Sequence, residues 1–250
     1  MLHNDYFLGL PAWAFPGWKD RYFTDEPSRL ASYAEVFNTV EGNTTFYRVP
    51  DANTVSRWRD AVSGNSFRFC FKLPRAVTHE HRPDLDELEQ FVGAIDPLAN
   101  SLGPLLVQFP ASVGPAELPR YQSVLETLRA RHRFVVEVRH QAFFDEPALL
   151  EPTLEQFDAG RVVLDSRPIY EGDRTHPDLA FNERYIDEWA QHVARFLGTG
   201  TEMYMMIHCP NNLHCPPLAL DFHRALKQVE GMTRLPDLEP WPLPEQLSLV

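Results

Sequence analysis

Several short apolar segments have charged side chains near their ends, and these are side chains that can donate or accept protons in acid–base catalysis. Glu41 and Glu137 come from different segments and could face each other as an acid and base pair, with Asp165 as a further carboxylate. Two facing carboxylates are also what a glycosidase needs. His79 and His140 follow or end such segments and could relay protons. We predict these five residues as the catalytic candidates.

Basic and polar residues near the same ends could hold a substrate. Lys72, Arg139 and Arg167 suit an anionic group, and the two arginines suit a planar carboxylate or a phosphate. Trp13 and Tyr47 could form an apolar wall for stacking. The predicted substrate-binding residues are Trp13, Asn43, Thr45, Tyr47, Lys72, Gln108, Arg139, Arg167 and His208. A purely structural ion-pair network is the alternative interpretation, because buried charges need partners.

The elements that would position these residues alternate between short apolar segments and helical patterns. The predicted strands are Phe7–Trp13, Thr39–Tyr47, Phe67–Pro74, Leu105–Pro110, Phe134–His140, Arg161–Arg167 and Met203–Cys209. The predicted helices are Pro27–Phe37, Thr54–Val62, Asp84–Ile95, Leu118–Leu128 and Tyr185–Leu197. Such alternation predicts parallel strands with right-handed crossovers. We therefore expect an α/β fold, a TIM-type (β/α)8-like barrel in which one strand is missing between Arg167 and Tyr185.

Residues two apart in a strand point to the same face of the sheet. This rule, which we call strand parity, predicts which polar side chains lie together. Glu41, Asn43, Thr45 and Tyr47 would share one face, and Glu137 would lie with Arg139. Polar groups gathered toward one end of several parallel strands predict a pocket at the carboxyl end of the barrel. We expect one domain over residues 1–250, with the proline-rich residues 235–250 as an extended arm packed on it.

Composition narrows the function classes. Hydrophobic residues make up 44% of the chain, which excludes a disordered protein, and the net charge of −12 argues against a general nucleic-acid binder. Three cysteines are too few for a disulfide scaffold, and no secretory leader pattern or membrane-spanning apolar run is present in the sequence. We expect a cytoplasmic protein with a small-molecule substrate and no membrane partner. The sequence does not indicate an oligomeric state.

Cofactor signals are weak. The doubled His-Cys pair at positions 208–209 and 214–215 matches no standard zinc-finger spacing. A catalytic divalent metal bound by Glu41, Glu137, Asp165 and His208 stays open as an alternative. Neither a GxGxxG after the first strand nor a Walker A loop occurs, so no nucleotide cofactor is indicated. We expect Cys70 to be a small core residue.

Several blocks occur in a family-specific order: GLPAWAFPGW, FNTVEGNTTFYRVP, FRFCFKLPRAVTH, GPLLVQFP, VVEVRHQAFF and VVLDSRP. With them the chain resembles the YecE-like family, domain of unknown function 72. The resemblance implies a TIM-type barrel in a cytoplasmic protein and implies no established reaction. It also implies a further strand with an arginine after Asp173, which is missing here. The simplest explanation is that a segment near Thr175 is absent from the sequence.

Three functions remain open from the sequence. The favoured hypothesis is a barrel enzyme with acid–base, optionally metal-assisted, chemistry on a small anionic or polyhydroxylated substrate. Whether it would be a hydrolase, a lyase or an isomerase is not resolved. The alternatives are a phosphodiesterase-like barrel that processes nucleic acid and a barrel that binds a ligand or protein without catalysis.

Overall fold

The structure is a computed structural model that describes residues 5–165, 179–209, 211–236 and 238, and the side chains of residues 179–184 are outside this description. The strands are β1 (Tyr6–Leu10), β2 (Thr39–Gly42), β3 (Arg68–Phe71), β4 (Leu105–Gln108), β5 (Phe134–Glu137), β6 (Gly160–Arg161) and β7 (Met203–Met206). The α-helices are α1 (Arg29–Ala34), α2 (Ala52–Ala61), α3 (Arg75–Thr78), α4 (Leu85–Ile95), α5 (Gln122–Arg129), α6 (Ala142–Asp145), α7 (Glu151–Phe157), α8 (Leu179–Gly198) and α9 (Cys215–Gln228).

The chain divides into two compact units, and β2 passes from one to the other. The first unit contains residues 1–40, 61–67 and 166–250, and the second contains residues 41–60 and 68–165. The prediction of a single domain over residues 1–250 stays a prediction.

The first unit is built on β1, which is buried along its whole length between β7 and the start of β2. The pairing is parallel, with Gly9 opposite both Met206 and Thr39. The Tyr33 hydroxyl joins the two strands: it donates to the Thr39 carbonyl (2.8 Å) and accepts from the Leu10 N–H (2.9 Å). Tyr33 also belongs to a buried ring cluster with Trp18, Phe23, Phe37 and Phe67. Helices α8 and α9 pack against each other in the same unit.

The second unit is a run of neighbouring parallel strands joined by helices. The end of β2 pairs with the end of β3 through the Lys72 N–H and the Gly42 carbonyl (3.3 Å). Bridges at Phe69–Leu102 and Lys72–Leu106 join β3 to β4, and β5 lies between β4 and β6. Side-chain caps begin two of its helices: the Asp51 carboxylate accepts from the Thr54 N–H (2.7 Å) at the start of α2, and the Asp84 carboxylate accepts from the Glu87 N–H (2.9 Å) at the start of α4.

The structure confirms an α/β fold with parallel strands, and it corrects several predicted bounds. The seven strands of the described residues do not close into a barrel, so the TIM-type barrel stays a prediction. Of the strand predicted over Arg161–Arg167, the described residues, which end at Asp165, form only Gly160–Arg161, and Val163 and Leu164 are exposed. Helix α8 begins six residues before the predicted Tyr185. Residues 166–178, where the sequence predicts that one strand is missing, lie outside the described residues. Nearly all of the proline-rich arm lies outside them as well.

The helices described here include none that is both long enough and apolar enough to span a membrane.

Candidate functional site

Polar side chains stand at the carboxyl ends of three neighbouring strands in the second unit. Lys72 directly follows β3, Gln108 ends β4, and Glu137 ends β5. The register places Gln108 opposite Glu137, and Lys72 opposite Leu106, two residues before Gln108. Because paired residues of adjacent strands point to the same face and the strands are about 5 Å apart, the three side chains meet.

Gln108 links the two charged groups. Its Oε1 accepts a hydrogen bond from the Lys72 ammonium, and its Nε2 donates to Glu137 Oε1 at 2.6 Å. An ammonium can only donate and a carboxylate can only accept, so the charges on the two sides determine how the amide is oriented. Gln108 and Glu137 are 5% and 6% exposed, and water therefore competes little for these bonds.

Arg139 connects this buried chain to solvent. Its Nε donates to the same Glu137 oxygen at 2.8 Å, while 49% of the Arg139 side chain is exposed. The guanidinium is a planar fork of donors that suits carboxylate or phosphate oxygens. Glu137 therefore holds in place a cation that can reach a ligand.

Lys72 lies in an environment that disfavours its charge. Burial lowers the pKa of the Lys72 ammonium, the positive charge of Arg139 lowers it further, and the charges of Glu137 and Glu41 oppose both effects. Nζ lies 4.2 Å from the centre of the Phe46 ring. The ammonium thus combines a lowered pKa with a position at the strand ends, which suits proton transfer.

His79 is the second group with an altered pKa. Burial and the positive charges of Lys72, Arg75 and Arg139 lower the pKa of His79 to about 4, against a small opposing effect of Glu80. The imidazole is therefore neutral at pH 7. Thr78 Oγ1 lies 2.8 Å from Nδ1 and also donates to the Pro74 carbonyl (3.3 Å). The hydroxyl has a single proton: when it goes to the Pro74 carbonyl, Nδ1 of His79 is the donor and Nε2 keeps a lone pair.

We expect His79 to make the protein lose stability as the pH falls from about 6.5 to about 4. The sign follows from the lowered pKa: in that range the unfolded chain binds a proton at this ring that the folded chain does not. Between pH 7 and pH 5 the loss should be about 1 kcal/mol, after a discount for the part of the ring in water. Urea unfolding at both pH values should show this loss reduced in His79→Gln.

The control for this measurement is His81→Gln, which changes an exposed histidine two residues further on. It should leave the loss between the two pH values as in the parent protein. A His79 resonance that titrates near pH 6.5 would contradict the assignment.

We call Glu41, Lys72, His79, Gln108, Glu137 and Arg139 the strand-end cluster. Glu41 belongs to it through the effect of its charge on the pKa of Lys72, and its Oε1 accepts from Asn43 Nδ2 at 2.8 Å. A recess of about 520 Å³ elsewhere in the second unit involves α2 and α4, and none of its lining residues belongs to the cluster.

The shared face predicted for Glu41, Asn43, Thr45 and Tyr47 is wrong. The strand ends at Gly42 and the chain continues as a 3-10 helix over Asn43–Phe46. The buried Thr45 hydroxyl favours this turn, since it lies 2.8 Å from the Gly42 carbonyl oxygen and 2.7 Å from that of Lys72. Tyr47 is 82% exposed. The two residues therefore lie in different surroundings.

The remaining predicted residues are placed elsewhere or stay untested. His140 Nδ1 accepts from the Ala142 N–H (3.2 Å) at the start of α6, which is a local turn contact. Asp165 is partly buried at the end of the second unit, while Trp13 and His208 belong to the first. Arg167 lies outside the described residues.

Within the described part of the chain, no three His, Cys, Asp or Glu side chains come together in a way that could hold a metal ion. The metal set proposed from the sequence, Glu41, Glu137, Asp165 and His208, therefore gains no support.

Two residues of the site were not predicted. Phe46 contacts both the Lys72 ammonium and the His79 ring, whose centre is 4.8 Å away. Thr78 orients His79. Strand parity placed Phe46 on the opposite face from Glu41, so only the unforeseen 3-10 turn brings it to the site.

A family model described as "Protein of unknown function DUF72" matches residues 7–243. The chain belongs to the DUF72 family. Two curated relatives of the chain are the "UPF0759 protein YecE" of Escherichia coli K12 and that of E. coli O157:H7. Each is 32% identical over 282 aligned positions, covering 97% of this chain and 99% of the relative. The alignment is longer than the 250-residue chain, so these relatives have residues that this chain lacks.

Two crystal structures of a DUF72 family protein from Enterococcus faecalis V583 share the fold. They match with TM-scores of 0.69 and 0.66, each at 17% identity, over 95% and 90% of this chain and 99% and 100% of theirs. At that identity the likeness concerns the fold alone. The description of the DUF72 family names no reaction. The residues of the strand-end cluster are therefore the basis for inferring a function.

Proposed function

We propose that the protein is an enzyme that carries out acid–base chemistry on a small anionic or polyhydroxylated molecule bound at the strand-end cluster. The observation that carries this proposal is the hydrogen-bonded chain from Lys72 through Gln108 and Glu137 to Arg139, which links a buried carboxylate to two cations at the ends of β3 and β5. Groups with shifted pKa values, grouped in this way, are more frequent at active sites than elsewhere.

Each member has a role in the proposal. Arg139 anchors the anionic group, because half of its side chain is exposed while Glu137 fixes its Nε. Lys72 donates or withdraws the proton, since its lowered pKa brings the neutral form closer to physiological pH. The neutral His79 ring serves as the second proton carrier through Nε2. Glu137 is a positioning group because it holds Arg139 in place, and the charge of Glu41 raises the pKa of Lys72.

The test has a binding arm and a turnover arm. Inorganic phosphate, hydroxy-carboxylates and sugar phosphates are titrated calorimetrically at fixed ionic strength, and the compounds that bind are followed for conversion by proton NMR. Lys72→Met and Arg139→Met should each weaken binding at least about tenfold, the loss of one charge-assisted contact.

The matched control is Arg57→Met, which removes an exposed arginine of α2 and should change the affinity less than about twofold. Equal losses in all three variants would place the anion elsewhere. Binding of anions with no conversion of any compound would contradict the enzyme and favour a ligand-binding protein. Glu137→Gln should still bind and should shift the pH profile of turnover to lower pH, because it removes a negative charge that raises the pKa of Lys72.

A further inference from the structure

The ammonium group of Lys72 has different partners from that of a surface lysine. The sequence contains three lysines, Lys19, Lys72 and Lys227. Lys19 is half exposed and forms an ion pair with Asp25 at 2.8 Å. In the described part of the chain, Lys72 Nζ donates instead to the neutral amide oxygen of Gln108, and no carboxylate forms an ion pair with it. Lys72 therefore lacks the direct counter-ion that would hold its proton.

The surroundings of Nζ increase the share of the neutral amine. The Phe46 ring covers one side of Nζ, with its centre 4.2 Å away, and Gln108 on another side is 5% exposed. Burial and the charge of Arg139 lower the pKa of Lys72. The ring face also attracts the ammonium, so both forms of the side chain are held in the same place. A desolvated lysine beside a second cation is the type of lysine that adds to carbonyl groups.

A group that can bind an anion lies close to this amine. Gln108 Nε2 and Arg139 Nε donate to the same oxygen of Glu137, at 2.6 and 2.8 Å. One amide and one carboxylate thus separate the Lys72 ammonium from the guanidinium, and half of the Arg139 side chain is exposed. A small molecule whose anionic group contacts Arg139 can present a carbonyl carbon to Nζ if the two groups are a few bonds apart.

We propose that Lys72 forms an imine with a small carbonyl compound whose carboxylate or phosphate is bound by Arg139. This inference rests on the proposed function, because it takes the strand-end cluster as the binding site of an anionic substrate. It adds the substrate class, oxo acids or oxo phosphates, and it makes Lys72 a nucleophile as well as a proton carrier.

The reaction balances without a further reactant. The neutral amine adds to the carbonyl carbon: a C–N bond forms, and the carbonyl oxygen takes up a proton that the nitrogen releases. The hydroxyl of this carbinolamine then leaves as water with the second proton of the nitrogen, and a C=N bond forms. In total one amine and one carbonyl group become one imine and one water molecule.

Reductive trapping on the full chain detects the imine. The protein is incubated at neutral pH with sodium cyanoborohydride and with pyruvate, dihydroxyacetone phosphate or acetone. The reagent adds a hydride and a proton to the imine and leaves a stable secondary amine. Trypsin does not cleave after such a lysine, so the peptides Phe69–Lys72 and Leu73–Arg75 are replaced by Phe69–Arg75. With pyruvate this longer peptide should gain the mass of pyruvic acid less one oxygen atom.

We expect pyruvate or dihydroxyacetone phosphate to label Lys72 at least about tenfold faster than Lys19 or Lys227, which serve as internal controls. The compound that gives this preference shows whether the site takes a carboxylate or a phosphate. With acetone the ratio of Lys72 to Lys19 labelling should be at least about tenfold lower, because acetone has no anionic group for Arg139. The ratio corrects for the different reactivities of the three carbonyl compounds.

A matched pair of variants tests the anion contact. Arg139→Met should lower the preference for Lys72 to about the ratio seen with acetone. Arg57→Met, which removes an exposed arginine of α2, should leave it unchanged. Thermal melting followed by circular dichroism checks that both variants fold, and the trapping in the parent protein needs neither.

The imine is disproved if neither anionic compound labels Lys72 faster than Lys19. A preference for Lys72 that is equally strong with acetone would contradict the role of Arg139. Anion binding and turnover without trapping at Lys72 would overturn the imine and leave the proposed function in place. Trapping at Lys72 with no conversion of any compound would support the imine and contradict the proposed catalysis.

Discussion

Glu137→Ala is expected to lower the free energy of unfolding by about 3 kcal/mol, whereas Glu137→Gln should lower it by less than about 1 kcal/mol. The alanine variant leaves Gln108 Nε2, which is 2.6 Å from the carboxylate in a buried position, with no acceptor. It also removes the partner of Arg139, although water can reach that guanidinium because half of the side chain is exposed. The glutamine variant keeps an oxygen where both donors already point.

Urea unfolding at pH 7 measures both values, and Glu126→Ala is the control because that residue is an exposed carboxylate of α5 bonded to Gln122. It should change the free energy by less than about 0.5 kcal/mol. Glu137→Gln also removes a negative charge that raises the pKa of Lys72, so the pKa of Lys72 should fall further in that variant. Equal destabilisation by the alanine and glutamine substitutions would mean that side-chain volume, and not the hydrogen bonds, holds the strand ends together.

The sequence predicted that Lys72, Gln108 and Glu137 lie together because buried parallel strands have a strong signal, and their role in a site stays a prediction. Lys72, Gln108 and Glu137 each follow an apolar run, and in parallel strands such positions converge at one edge. The prediction that Arg139 lies on the same face as Glu137 is also consistent with the structure, since Arg139 contacts that carboxylate two residues before it. The central position of Gln108 could not be foreseen, since it depends on the register between β4 and β5 and on which partner each amide atom meets.

The predictions of secondary structure failed where a hydrogen bond from a single side chain changes the backbone conformation. TVEGNTTFY alternates like a strand, but the Thr45 hydroxyl bonds the carbonyl at the end of β2 and a 3-10 helix follows. The predicted helices did not include α9, whose first turn contains two adjacent prolines. Proline is well tolerated in the first turn of a helix, and Pro216 and Pro217 occupy that turn. Such outcomes depend on three-dimensional partners that no local pattern shows.

Gly42→Ala is expected to destabilise the second unit by about 3 kcal/mol. A Cβ at this position would lie 2.3 Å from Cδ1 of Phe71, far inside van der Waals contact. The ring cannot easily move, because Phe71 is fully buried and stacks on Phe69 and Trp58 with centroids 5.3 Å from each. The backbone of Gly42 has no left-handed conformation, so the cost is one of space alone.

A shift of Gly42 should also reach the strand-end cluster. Its carbonyl accepts from the Lys72 N–H and the Thr45 hydroxyl, so Gly42→Ala should weaken anion binding as well as stability. Gly93→Ala is the matched control: nothing lies within 4 Å of a Cβ there, and alanine in the last turn of α4 should raise stability by up to about 1 kcal/mol. Combination with Phe71→Leu should recover about 1–2 kcal/mol relative to the sum of the single changes. Strict additivity of the two changes would show that the contact between Gly42 and Phe71 is not what positions the end of β2.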